Sequence, residues 1–315
     1  MSKDVNRYQK QWTIGIPNGM LYCRYKTLWE SFFSALGAKL IVSEPTNKEL
    51  LQSGMEAAID ESCLSAKIYL GHVHALIGKC DYIFVPRISN WGRHRDMCTR
   101  FQSMYDLVTN TFRGTGQSFL GCDIDIMEKR TEEKAMLALA GELGASRKQA
   151  KEAYKTAKKK EAADWKARVK AQEKLYQADG LKVAVAAHSY VAEDAYFGKP
   201  ILTYLEELGT IPVRADIVDR KEALKRSLQV SPTLKWEVNR EIVGGLQIHR
   251  DKIDGIVLLT AFPCGPDSMV NEIVTREFSE LPVMNLTLDS QNGTAGMETR
   301  LESFVDILKF KKGEL

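Results

Sequence analysis

No apolar run in the 315 residues approaches the roughly 20 needed to cross a bilayer. The opening MSKDVNRYQKQW lacks the apolar stretch of a secretory signal. A cytoplasmic protein with no membrane partner is therefore expected. Excess charge of one sign is missing as well, since 44 basic residues face 41 acidic ones for a net charge of +3. That balance gives no electrostatic footprint for nucleic acid. Two nucleotide fingerprints are absent: no G-x-x-x-x-G-K-S/T phosphate loop occurs, and no G-x-G-x-x-G follows a strand pattern. Nor is there any Cys-x-x-Cys pair, which argues against a structural zinc module.

What is present is 44% apolar residues in a chain long enough to bury the cores of two ordinary domains. Disulfide staples are then unnecessary. In a reducing compartment the six cysteines are free thiols and candidate ligands rather than bridges. A buried free Cys is also an ordinary core residue, so position in the fold has to separate ligands from packing.

The pattern along the chain alternates strands and helices. TIGIP (Thr13 to Pro17) reads as a strand, followed by a helix with Leu28, Phe32 and Leu36 on one stripe, a stop at Gly37 and a second strand. Two helices and the continuous apolar strand DYIFVPRIS come next, then a fourth strand at QSFLGCDID. Composition shifts to Ala, Lys, Glu and Arg over residues 126–179, which predicts a long helix or helical hairpin with a solvated, ion-paired face. Strand and helix patterns resume at LKVAVAAHSY and continue through GKPILTYLEELG, IPVRADIV, GIVLLTAF and PVMNLTLD to a closing helix. The expected fold is α/β: two doubly wound parallel-sheet, Rossmann-like domains, 1–125 and 180–315, with a charged helical insert at 126–179.

Open parallel sheets bind ligands beyond the carboxyl ends of their strands. That rule selects Cys98, in the loop after DYIFVPRIS, and Cys264, in the Pro-Cys-Gly-Pro turn after GIVLLTAF. Cys63 opens or interrupts a helix in DESCLSAK, where backbone N–H groups and the nearby Lys67 are expected to lower its pKa. The three stand 35 and 166 positions apart, and scattered soft ligands of this kind fit an iron–sulfur cluster held between two domains.

GIPNGMLYCRYKTLWESFFSALGAKLIVSEPTNKELLQSG, DESCLSAKIYLGHVHALI, DYIFVPRIS, AFPCGPDSMVNEI and the ending LPVMNLTLDSQNGTAGMETRLESFVDIL together resemble the acyl-CoA dehydratase activase-related proteins. The resemblance covers about four fifths of the chain, everything but the basic helical segment. That group belongs with the 2-hydroxyacyl-CoA dehydratase subunits and the double-cubane cluster proteins, whose three-cysteine pattern matches Cys63, Cys98 and Cys264. The resemblance implies a [4Fe-4S] cluster on these three, with a double-cubane [8Fe-9S] site as the less favoured form. It also implies a separate ATP-hydrolysing iron–sulfur activase as electron donor and a dimer or hetero-oligomer with a related subunit. The chain would act as the reductase or the acyl-CoA dehydratase-type component. The alternative is a non-catalytic α/β scaffold or accessory binding subunit without a functional cluster. One departure bears on it: where relatives carry Pro after the first two cysteines, this chain has Leu64-Ser65 and Thr99.

No residue is singled out as catalytic. Cys23 and Cys122 follow presumed strands and either could approach the cleft, whereas Cys80 points to the opposite edge. His72 and His74, two apart on one helix, face different ways. His72 could hydrogen-bond near a cluster or be structural, and His188 could donate to the site or cap a helix. Asp289, Glu298 and Arg300 are read as ordering a loop and capping the last helix, with a catalytic role for Arg300 toward a carboxylate or phosphate as the alternative.

Overall fold

A computed structural model describes residues 11–290 and 295–313. The first half runs β1 (Thr13–Ile16), α1 (Tyr22–Ala35), β2 (Lys39–Val42), α2 (Lys48–Ala57), α3 (Leu64–His74), β3 (Tyr82–Asn90), α4 (Thr99–Thr111) and β4 (Ser118–Asp125). Helices α5 (Glu132–Glu142) and α6 (Arg147–Gln177) follow. The second half runs β5 (Leu181–Ala186), α7 (Ser189–Ala192), α8 (Gly198–Glu207), β6 (Thr210–Arg214), α9 (Arg220–Val230) and α10 (Glu237–Ile248). It closes with β7 (Gly255–Ala261), α11 (Gly265–Glu277), β8 (Val283–Leu288) and α12 (Ala295–Lys312).

Two four-stranded sheets result, ordered β2-β1-β3-β4 and β6-β5-β7-β8, and every pairing is parallel. The topology is the same in both: two strands are laid outward, then the chain crosses back and adds two on the other side. The mixed α/β fold with two Rossmann-like sheets is thus the one expected. β7 is buried along its whole length, as a central parallel strand covered on both faces must be. On α1, Leu28, Phe32 and Phe33 are fully buried, and Phe33 meets Phe84 of β3 edge to face at 5.1 Å.

The 126–179 segment packs on the body. Met136, Leu139 and Ala140 of α5 share one core with Phe84 and Val85, and α6 lays Ala150, Ala153 and Ala157 into the same core. A capping box at Ser146 and Gln149 starts α6, which at 1.5 Å per residue is about 46 Å long. Trp165 of α6 donates its indole N–H to Val218 O in the second half at 3.0 Å.

The halves are joined by polar contacts as well as by the shared core. Arg24 of α1 is paired with Glu241 of α10, both buried, and Arg95 with Glu237 at 2.5 Å. Backbone bonds run from Asp96 N–H to Lys235 O (3.0 Å) and from Glu237 N–H to Asp96 O (2.9 Å). In each half the two helices before the third strand touch backbone to backbone. A Cβ at Gly54 of α2 would lie 2.0 Å from Lys67 O of α3, and one at Gly244 of α10 would lie 1.9 Å from Ala223 O of α9. Only glycine permits such approach.

Candidate functional site

Three helices begin at cysteines. Cys63 is the N-cap of α3, Cys98 of α4 and Cys264 of α11, each with extended backbone and none capping with its own side chain. α4 and α11 follow the third strand of their respective sheets, so Cys98 and Cys264 sit at the carboxyl edge as the strand-end rule requires. Cys63 is carried to the same place by α3, whose first N–H, at Leu64, donates to Phe262 O at 2.8 Å. All three thiols line one cavity of about 280 Å³, together with Met20, Tyr190 and Trp236. A single water-sized guest would need only roughly 10–15 Å³.

Behind the thiols lies a buried hydrogen-bonded group centred on Asp267, three residues into the Cys-Gly-Pro-Asp turn. Its Oδ1 accepts from His188 Nε2 at 2.9 Å and from Asn239 Nδ2 at 2.8 Å. The ligand atoms of His188, Cys264 and Asp267 fall within 4.8 Å of one another. His188 is the N-cap residue of α7 but makes no side-chain cap there, its Nε2 being taken by Asp267. Its ring stacks on Tyr190 at 4.9 Å and 7°, and its Nδ1 is buried with no hydrogen-bond partner among the described residues.

The electrostatics differ from expectation at Cys63. Burial pushes its thiol pKa up, and the backbone N–H of Ala66 and then Arg100, not Lys67, are the opposing influences. Cys98 and Cys264 are likewise pushed up by burial, against N–H groups of Arg100, Phe101 and Asp267. Asp267 itself stays below the usual carboxylate range: burial opposes its charge, but His188 beside it and the donated hydrogen bonds win. His188 is raised for the same reason, its desolvation outweighed by Asp267. Buried thiols ringed by N–H groups stay protonated alone and ionise readily beside a cation. The donor set fits a thiophilic metal group: three soft ligands, helix N-termini favouring negative charge, and a large, mostly apolar enclosure.

The remaining candidates lie elsewhere. Cys122 is not in a loop after a strand but inside β4, fully buried with Sγ 3.7 Å from Met136 Sδ. Cys80 precedes β3 at the opposite edge, its Sγ facing Leu76 O. Cys23, in the first turn of α1, lines a second cavity of about 440 Å³. His72 is absent from the lining of the thiol cavity; it bridges Ser43 (2.9 Å) and Thr46 (3.2 Å), and Thr46 lines that second cavity. His74 instead stacks on Phe112. Arg300 donates to Asn285 O at 2.6 Å and Asp289 accepts from Ser290 N–H, while residues 291–294 of that loop lie outside the described residues.

Sequence reasoning passed over Asp267, Tyr190, Trp236 and all of α10. Asp267 carried a signal, an acid at the third position of a helix opened by Cys264. Tyr190 carried one too, an aromatic four residues beyond the β5 strand end. α10 carried none.

The fold and its edge site define an α/β protein with a cavity between two like halves, lined by three half-buried thiols. Residues 13–218 match the family described as the CoA enzyme activase uncharacterised domain (DUF2229), more than half of the chain, and the chain belongs to that family. Cys63, Cys98 and His188 fall inside the matched region and Cys264 beyond it. No curated protein matches the chain.

Proposed function

We propose that this chain is an iron–sulfur redox protein of acyl-CoA dehydratase systems, with Cys63, Cys98 and Cys264 holding one [4Fe-4S] cluster. The observation that carries the reading is the convergence of three helix-opening cysteines on one apolar cavity. Membership of the CoA enzyme activase domain family supports the setting, and the lack of a phosphate loop supports electron acceptor rather than ATPase. A separate ATP-hydrolysing activase then supplies electrons, and the chain works as a cytoplasmic reductase or dehydratase component, alone or beside a related subunit. When bound, such a cluster supplies one-electron chemistry at low potential.

The chain's own residues do the rest. The three N-cap positions present sulfur where backbone N–H groups favour negative charge. Asp267, fixed by Asn239 and His188, holds the Cys264 turn and keeps the imidazole turned toward the cavity wall. Leu64 N–H on Phe262 O locks the Cys63 helix to the Cys264 loop across the two halves. Trp236 and Met20 exclude water.

Anaerobic purification followed by iron and acid-labile sulfide analysis tests this directly. The preparation is expected to be brown with near-equal iron and sulfide. Ser at 63, 98 or 264 is expected to strip or destabilise the cluster, and Ser at 23, 80 or 122 to leave it. Normal iron in Cys264→Ser would remove the proposal. The His188–Cys264–Asp267 group favours a second reading, a single metal ion. That reading expects one metal per chain without sulfide, lost in Asp267→Asn and retained in Cys63→Ser. A colourless chain that stays iron-free after reconstitution supports the scaffold alternative instead.

A further inference from the structure

The 440 Å³ cavity shares Tyr190 as a wall with the thiol cavity but is built differently. Its walls come from α1, the loop between β2 and α2, α6, and the stretch from α7 to α8. Its floor is a fixed hydrogen-bonded chain. Ser43 Oγ accepts Asn18 N–H at 2.8 Å and meets His72 Nδ1; His72 Nε2 meets Thr46, which donates to Asp194 Oδ2 at 2.6 Å. Asp194 Oδ1 accepts the N–H groups of Tyr196 and Phe197, both at 2.9 Å, so this carboxylate is fully committed.

The charges on the walls are also mostly committed. Arg24 is spent on Glu241, and Arg168 shares Glu193 with Arg214. Lys26 and Lys199 have no ion pair among the described residues, although the Lys26 ammonium lies 5.9 Å from the centre of the Tyr22 ring and Lys199 acts at longer range on Asp194; one wall acid, Asp164 on α6, is likewise without an ion pair. The Tyr190 ring is the wall the two cavities share, and the groups that act on its hydroxyl, Cys98, Cys264 and Asp267, lie on the thiol side. Two ammonium groups outside any ion pair, above a rigid polar floor, are complementary to a negative ligand group.

We propose that this cavity is a binding site for a small molecule bearing a carboxylate or a phosphate group, gripped between Lys26 and Lys199 beside Tyr190. It is a site in its own right, independent of what the thiols hold, and it sets a bound molecule one aromatic ring away from them.

Isothermal titration of the full chain at low ionic strength, with succinate in one arm and inorganic phosphate in the other, tests the proposal. Saturable binding of at least one is expected, and the arm that binds identifies the acid group. The Lys26→Ala/Lys199→Ala pair, both exposed residues, should weaken that binding at least tenfold. Lys221→Ala/Lys225→Ala, with the same loss of charge on exposed α9 positions, should leave it within twofold. Cys264→Ser should bind the anion as the parent chain does, which separates this site from the iron–sulfur proposal. No saturable binding in either arm, equal weakening in both lysine pairs, or loss of binding in Cys264→Ser would each overturn it.

Discussion

Gly54→Ala places one methyl group between two backbones. The added Cβ would lie 2.0 Å from Lys67 O, 2.8 Å from Lys67 C and 2.9 Å from Gly71 N. No side chain can rotate aside, so α2 and α3 must separate by about 1 Å or more, as overpacking of a filled contact demands. Such insertions typically cost about 1–3 kcal/mol, and an all-backbone obstacle puts this one near the top of that range. Replacing Gly by Ala inside a helix returns about 1 kcal/mol. The net loss is about 2 kcal/mol, a fall in melting temperature of roughly 3–5 °C for a chain of this size. Gly141→Ala is the control of opposite sign: it is helical, exposed and has nothing within 4 Å of an added Cβ, so it should gain up to about 1 kcal/mol. Thermal unfolding followed by circular dichroism reads both. Because Cys63 is the N-cap of α3, the cluster proposed on that thiol should be retained less well in Gly54→Ala. A Gly54→Ala chain that melts at or above the parent would refute the argument from backbone contact, whatever its iron content.

The buried Arg24–Glu241 pair should cost about 3–5 kcal/mol when broken by Glu241→Leu alone, with most of that recovered in Arg24→Met/Glu241→Leu, as urea denaturation of the single and double variants would show. Burial lowers the pKa of His72 to about 4, so the unfolded chain binds its proton first as pH falls. The stability it contributes is complete above about pH 6.5 and is lost toward pH 4, by ~3 kcal/mol. His72→Gln should flatten that part of a pH–stability profile, and an unchanged profile would count against the assignment.

The strand ends were legible because parallel sheets announce themselves as apolar runs, and the loops after β3 and β7 are where Cys98 and Cys264 stand. Cys122 misled because it was placed after QSFLG, although the strand expected at QSFLGCDID, realised as β4 through Asp125, already contains it. The Cys63 pKa misled because helix N-termini and nearby cations act against desolvation, and burial depth is a tertiary quantity. α10 was invisible for a related reason. Glu237, Asn239, Arg240 and Glu241 have the polarity of a solvated face, yet all four are buried. Each has a partner 28 or more residues away in sequence, Arg95, Asp267, His94 O and Arg24, and Arg240 adds Ser227 and Leu224 O of α9.

The shared strand order has a consequence for where the thiols are and where one is missing. Superposing the halves by order alone sets α4 on α11 and α3 on α10, so Cys98 and Cys264 are the same corner of a repeated frame. The counterpart of Cys63 is then Trp236, the N-cap of α10 and part of the same cavity wall. Each precedes by eight positions a glycine, Gly71 or Gly244, at which its helix meets the neighbouring helix's backbone. A chain assembled from two copies of one plan would offer four equivalent sulfur positions. This one carries cysteine at three of them and an indole at the fourth, so the repeat of the plan is broken at one residue of the cavity wall.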